Sequence, residues 1–269
     1  MKDVDLPISK NRKWTAGRAW QCCFALVILE FVMEACLRVA QKLPRSGDWM
    51  FTHEYQVQGA FKVFHAGLWL FLACWFSNVR SLDDFVKRNG LSKQPDYRGW
   101  IVAWVVIGIA LLDRYGVTKG WTSANTVTRG FFNSEGGVLL FYVIFVNSIG
   151  PFYEEVVMRG FLYKAFRNNY GKLISTSIVL LVAVYFHWST VGHSLYTAAC
   201  LVSLWIVLCA LREWTGNTWS CILCHAIYNA VDSFSWPIYI SAMIVLSPFC
   251  MLRSRTPDSG KGVTKGGNP

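Results

Sequence analysis

Several windows of roughly 17 to 20 residues in this chain are almost free of charge, which is the length a helix needs to cross a hydrocarbon core of about 30 Å. In residues 174–185 and 195–211 polar side chains recur at neither period 2 nor period 3.6. A soluble strand or helix of that length would show one of the two. The 54% hydrophobic and 16% aromatic content of the 269 residues would also suit a large soluble domain. The distribution of charge decides against that and predicts an all-α, polytopic membrane protein.

The formal net charge is +10. The basic residues fall in the gaps between apolar runs, as expected for segments held on the cytoplasmic side. They form no single stripe interleaved with aromatics, so nucleic acid is not an expected partner. The nine cysteines lie mostly in apolar segments and read as small buried side chains, not as a disulfide framework. The first apolar run is long and lacks a small-residue cleavage site. It is therefore expected to serve as the insertion signal itself.

In order, residues 1–19 read as a basic cytoplasmic tail, 20–251 as one transmembrane domain and 252–269 as a disordered basic tail. Eight spans are expected, near 20–37, 61–79, 100–112, 137–166, 173–188, 195–211, 217–231 and 237–251, with both termini cytoplasmic. Glu30, Glu34 and Arg38 form an i, i+4, i+8 stripe on the first span and read as an interhelical salt-bridge face. The charged stretch from Arg80 to Arg98 reads as an internal cytoplasmic segment. Residues 113–135 read as an outward loop, although Arg114, Lys119 and Arg129 run against the charge bias there. Residues 167–172 read as a basic turn, and Arg212 with Glu213 as another.

The fourth span holds Pro151-Phe152-Tyr153-Glu154-Glu155-Val156-Val157-Met158-Arg159-Gly160. Ionisable groups at such depth are expensive unless paired or facing a wet cavity, and by default they mark a functional site. Glu155 and Arg159 have the i, i+4 spacing of an acid followed by a base. Glu154 points about 100° away and is left uncommitted by that pair. Pro151 lacks a backbone donor and is expected to kink the helix just ahead of the carboxylates. Three further polar groups lie at membrane depth: His187, His225 and Asn229. Glu154 and His187 lie at equal counts on either side of the turn at Tyr170-Gly171, so an antiparallel hairpin brings them to equal depth. His225 and Asn229 share a helical face. The four are expected to line one intramembrane polar cavity, with Glu155 and Arg159 supporting it.

Other chemistries are less well matched. There is no H-E-x-x-H, yet Glu154, His187 and His225 could still bind a divalent metal such as zinc. Cys221-x-x-Cys224-His225 has the c-type haem attachment pattern but lies within an apolar span. No Gly-x-Ser-x-Gly supports a serine hydrolase. His53, His65 and His193 fall outside the constellation and receive no role. A proton-relaying transporter and a non-catalytic membrane immunity or scaffold protein are the alternatives outside the enzymes.

The three motifs, Glu154-Glu155-x-x-x-Arg159, His187 and His225-x-x-x-Asn229, occur in the order seen in the CPBP family of intramembrane proteases (CAAX proteases and bacteriocin-processing enzymes, the Abi domain), which they resemble over residues 137–231. The second motif departs from the family's usual pattern: Ala183 stands four residues before the histidine, where Phe is usual, and Phe186 is adjacent. The resemblance implies an endopeptidase acting on a membrane-associated protein or peptide, prenylated or a peptide precursor, without an obligatory cofactor. Glu154 would be the general base that activates a water, His187 would hold that water, and His225 with Asn229 would donate to the oxyanion. An integral, multi-pass location is implied, in the plasma membrane if the source is prokaryotic.

Overall fold

The computed structural model describes residues 14–42, 54–79, 81–92, 97–119, 147–192 and 194–232. Among these, all regular structure is helical. The elements are α1 (Ala16–Lys42), α2 (Glu54–Ser77), α3 (Leu82–Arg88), α4 (Tyr97–Thr118), α5 (Gly150–Glu155), a π-helical segment (Val156–Leu162), α6 (Tyr163–Tyr170), α7 (Lys172–Phe186), α8 (Trp188–Val191), α9 (Leu195–Thr215) and α10 (Thr218–Asp232). Among the described residues four stretches are long and apolar enough to cross a membrane: Ala16–Cys36, Gly59–Ser77, Tyr97–Gly116 and Leu195–Thr215. The chain is an all-α, polytopic membrane protein.

The count of eight spans is not reached among the described residues. α7 is apolar but only 15 residues long. α10 is as short and carries Thr218, Ser220 and His225, all buried against protein rather than lipid. The eighth expected span, the start of the fourth, residues 1–13 of the first tail and all of the second lie outside the described residues, while residues 16–19 of the expected first tail belong to α1.

Several boundaries differ from expectation for local reasons. α3 occupies the charged segment that read as cytoplasmic connection. Ser81 caps it, accepting from the Asp84 amide at 3.2 Å, and Asp83 and Asp84 in its first turn pair with Lys87 and Arg88 at 2.7 and 2.6 Å. The expected loop at 113–135 begins later, because α4 runs on to Thr118. Buried Asp113 accepts a 2.6 Å hydrogen bond from the Tyr228 hydroxyl, so a charge that looked like a helix end is held inside. The expected turn at 167–172 shrinks to Gly171, whose φ of 77° suits a residue without a Cβ. Arg212 and Glu213 belong to the last turns of α9, not to a turn of their own.

Apolar side chains form two packed clusters. One joins α1, α2, α3, the π segment and α6 through Leu26, Trp69, Phe85, Val157, Phe161 and Phe166. The other joins α4, α9 and α10 through Val106, Leu204, Trp205, Leu208, Cys224 and Ile227. Small residues allow close helix approach: α1 buries Ala16, Ala19, Cys22, Cys23 and Leu26 along one stripe, and α4 buries Ala103, Val106, Ile107 and Ala110. Phe24, Phe31, Trp75 and Leu181 point outward, as a lipid-facing surface requires. The Cys221 and Cys224 thiols contact the carbonyls of Leu208 at 3.5 Å and Gly99 at 3.6 Å, so they serve packing between α10 and its neighbours. Among the described residues the cysteines are free thiols.

The segment from 147 to 170 crosses the seam between the clusters. It is π-helical at 147–149, α-helical over α5, π-helical again over Val156–Leu162 and then α-helical. Pro151 stands in the first turn of α5, directly after the first π turn. The disturbance expected ahead of the carboxylates thus takes the form of a wide turn. The second π segment is held from outside. The buried Arg212 donates from Nε to the Arg159 carbonyl at 3.2 Å and from Nη2 to the Asn89 carbonyl at 3.3 Å. Gly160 lies against the Asn89 side chain, and any Cβ there would collide with Asn89 Oδ1.

Candidate active site

Adjacent positions on α5 send two carboxylates into different surroundings. Glu155 is sealed, with its side chain 0% exposed. Its Oε1 receives Arg159 Nη1 at 3.0 Å and faces His225 Nδ1 at 2.8 Å. The i, i+4 pair with Arg159 forms across the junction between α5 and the π segment. Glu154 is 18% exposed and lies at looser range from two imidazoles: its Oε2 is 3.7 Å from His187 Nε2 and 4.0 Å from His225 Nε2. His225 therefore stands between the two carboxylates, one ring nitrogen toward each. His187 is the more open side, 28% exposed against 5% for His225.

Local structure explains how each histidine is presented. α7 stops at Phe186, and His187 breaks it with φ −107° and ψ 19° before α8 begins. Its Nδ1 lies 3.0 Å from the Ala183 carbonyl, and its ring packs on Trp205 at 5.0 Å between centroids. A carbonyl only accepts, so Nδ1 carries the hydrogen and Nε2 faces Glu154. The same reasoning applies to His225, whose Nδ1 faces Glu155 Oε1, the oxygen that also accepts from Arg159. Asn229 lies one turn along α10 from His225 and is half-buried. It thus shares the face expected of it.

Of the sequence-derived residues, Glu154, His187 and His225 come together, and Glu155 and Arg159 form the expected pair. The contact between Glu155 and His225 was not foreseen, because 70 positions separate the two and no local spacing signals it.

The first two helices also reach the site. His65, on α2, is buried. Its Nε2 engages Glu30 of α1, and its Nδ1 lies 3.2 Å from the hydroxyl of Tyr153, the residue before Glu154. Trp69 donates to the same Glu30 oxygen at 2.8 Å. His65 and Lys62 are within electrostatic range of Glu154. Both His65, given no role from sequence, and Glu30, read as part of a salt-bridge stripe, thus belong to the surroundings of the site. Within that stripe only Glu34 and Arg38 pair, at 2.8 Å and well exposed. The criterion that singled out Glu154, an ionisable residue inside an apolar run, would have singled out His65 too.

Tetrahedral ligands held about 2.0–2.1 Å from zinc lie roughly 3.3 Å apart. The separations of 3.7 and 4.0 Å around Glu154 Oε2 would contract slightly to take such an ion. Among the described residues no group of three or more His, Cys, Asp or Glu side chains is placed to hold a metal ion.

No curated protein and no solved structure matches the chain. Residues 136–231 match the family model described as Rce1-like, type II CAAX prenyl endopeptidase. This span holds α5 to α10 and every residue of the Glu154, His187 and His225 cluster, and over it the chain is similar to the CAAX prenyl endopeptidases.

Proposed function

We propose that the chain is an intramembrane endopeptidase that hydrolyses a peptide bond of a membrane-associated substrate with a water activated by Glu154. The observation that carries this reading is the arrangement around one atom: Glu154 Oε2 faces the Nε2 atoms of His187 and His225, while Glu155 Oε1 is taken by Arg159 and His225. In a neutral imidazole with its hydrogen on Nδ1, Nε2 is an acceptor. A water between Glu154 and His187 would give one hydrogen to each, leaving its oxygen lone pairs free for the scissile carbonyl. On attack, Glu154 takes the water's proton, and it later returns that proton to the departing amine, so the base becomes the acid of the second step. The carbonyl oxygen becomes an oxyanion. Asn229 can donate to it from its amide; His225 can donate from Nε2 as an imidazolium, with Glu155 as its counter-ion.

The family match supports a substrate ending in a prenylated CAAX-type sequence over a peptide precursor. A lipid chain would keep such a substrate at the bilayer, where the outward apolar faces of α1, α2 and α7 already lie. Both termini are proposed to face the cytoplasm, the side where such substrates are made.

A metal-dependent variant uses the same three side chains. Glu154, His187 and His225 would hold the ion, with Glu155 behind His225 as a carboxylate behind a ligating histidine. The ion would polarise the scissile carbonyl, and Asn229 would then matter less. The water mechanism is favoured because it needs no contraction of the site.

The test compares the peptide termini of the membrane proteome in cells carrying the wild type and Glu154→Gln. Termini generated by the wild type and missing from the variant are expected. Identical termini in both would overturn the reading.

A further inference from the structure

Outside the Rce1-like domain, two ionisable residues in different stretches apolar enough to cross a membrane face each other: Glu30 in Ala16–Cys36 and His65 in Gly59–Ser77. Each is expensive there unless it is satisfied. They satisfy one another, Trp69 donates to the same Glu30 oxygen, and the chain of contacts runs on to the Tyr153 hydroxyl, which also lies within hydrogen-bonding range of Glu154. The ring of Tyr153 packs edge-on against both His65 and Trp69, each at 5.5 Å. Because the Glu30 carboxylate only accepts, His65 Nε2 carries the ring hydrogen. In the neutral ring Nδ1 accepts, and the Tyr153 hydroxyl is the donor.

We propose that His65 is a positioning residue of the active site, pinning Tyr153 to α2 and thereby setting the direction in which Glu154 leaves α5. The inference rests on the reading of Glu154 as the water-activating base. The need for a pin follows from the backbone. α5 is six residues long with π-helical turns on both sides, so little of a regular α-helical ladder fixes its rotation about its own axis. Glu154 follows Tyr153 directly, about 100° further round. Holding the tyrosine at both ring and hydroxyl therefore fixes where the carboxylate points. A similar contact occurs on α10, where Tyr228, the residue before Asn229, donates to Asp113 of α4 at 2.6 Å. In both cases a helix from outside the matched domain holds the tyrosine beside a residue of the site.

Two conservative variants separate positioning from packing. The amide of His65→Asn falls where Nδ1 lies and keeps a partner for Tyr153. The amide of His65→Gln falls where Nε2 lies and keeps Glu30 but loses Tyr153. Each is prepared as full-length protein in lipid, alongside Tyr153→Phe, Glu154→Gln and the wild type. Turnover of a prenylated CAAX peptide and hydrogen exchange over residues 147–162 are then measured. His65→Gln and Tyr153→Phe are expected to lower kcat roughly tenfold to a hundredfold with KM nearly unchanged, and to speed exchange locally in 150–155. His65→Asn should stay close to the wild type in both. Wild-type exchange and kcat in His65→Gln, or equal damage from Asn and Gln, would overturn the inference. Full turnover by Glu154→Gln, with the exchange pattern as expected, would instead overturn the peptidase reading and leave the pin in place.

Discussion

The two flanks of α5 differ in how their polar groups are held. On the Glu155 flank, distances are 2.8 and 3.0 Å and all three partners are sealed from the surface. On the Glu154 flank they are 3.7 and 4.0 Å, and two of the three side chains are partly open. A buried ion pair is costly to break, since an unpaired charge in such a place is strongly destabilising. A reacting carboxylate needs room for a water and a substrate carbonyl. The same residue type, one position apart, can thus serve as foundation on one flank and as reagent on the other.

The largest effect should come from the open flank. Glu154→Gln removes the base and is expected to lower turnover by roughly 10²–10⁴-fold or more, read by cleavage of a prenylated peptide by the reconstituted protein. On the sealed flank, Arg159→Ala strands Glu155 and should cost about 3–5 kcal/mol of stability, visible as lower yield and an earlier thermal transition. A stable but inactive Arg159→Ala would move the arginine into substrate contact and erase the contrast between the flanks.

Next in size are the oxyanion donors. Asn229→Ala and His225→Ala should each raise the barrier by about 2.7–4 kcal/mol, measured as kcat/KM. The purified protein is expected to carry no stoichiometric zinc, and chelation should leave turnover unchanged. One tightly bound equivalent whose removal stops the reaction and whose return restores it would favour the metal-dependent reading. Such an ion would make Asn229→Ala the milder of the two substitutions. The smallest effect belongs to a pair on neither flank: Arg38→Ala breaks an exposed contact with Glu34 and should change stability by only a few tenths of a kcal/mol.

How much of this was legible beforehand depended on the range of the signal. The Glu155–Arg159 pair, the hairpin turn at Gly171 and the shared face of His225 and Asn229 follow from spacings of a few residues or from counting along two helices, and all are visible in the chain. The bond from Glu155 to His225, the hold of Arg212 on the Arg159 carbonyl and the line from Glu30 through His65 to Tyr153 join residues 35 to 88 positions apart. Only the packing of the helices determines them. α3 was hidden for a different reason: its two acids and two bases looked like a solvated connection, although their i, i+4 spacing is what supports a short helix. The π segment has no residue signature, being defined by its backbone bonds and by what meets it from outside.

The most direct test of the division between the two carboxylates is a side-by-side measurement of turnover and thermal stability for Glu154→Gln and Glu155→Gln in the same lipid. Glu154→Gln should unfold at the wild-type temperature and turn over substrate at least about 10²-fold more slowly. Glu155→Gln should unfold earlier, because it leaves Arg159 buried without its counter-charge and His225 without its carboxylate partner. A Glu155→Gln protein as stable as the wild type, or a Glu154→Gln protein that still cleaves at the wild-type rate, would contradict that division.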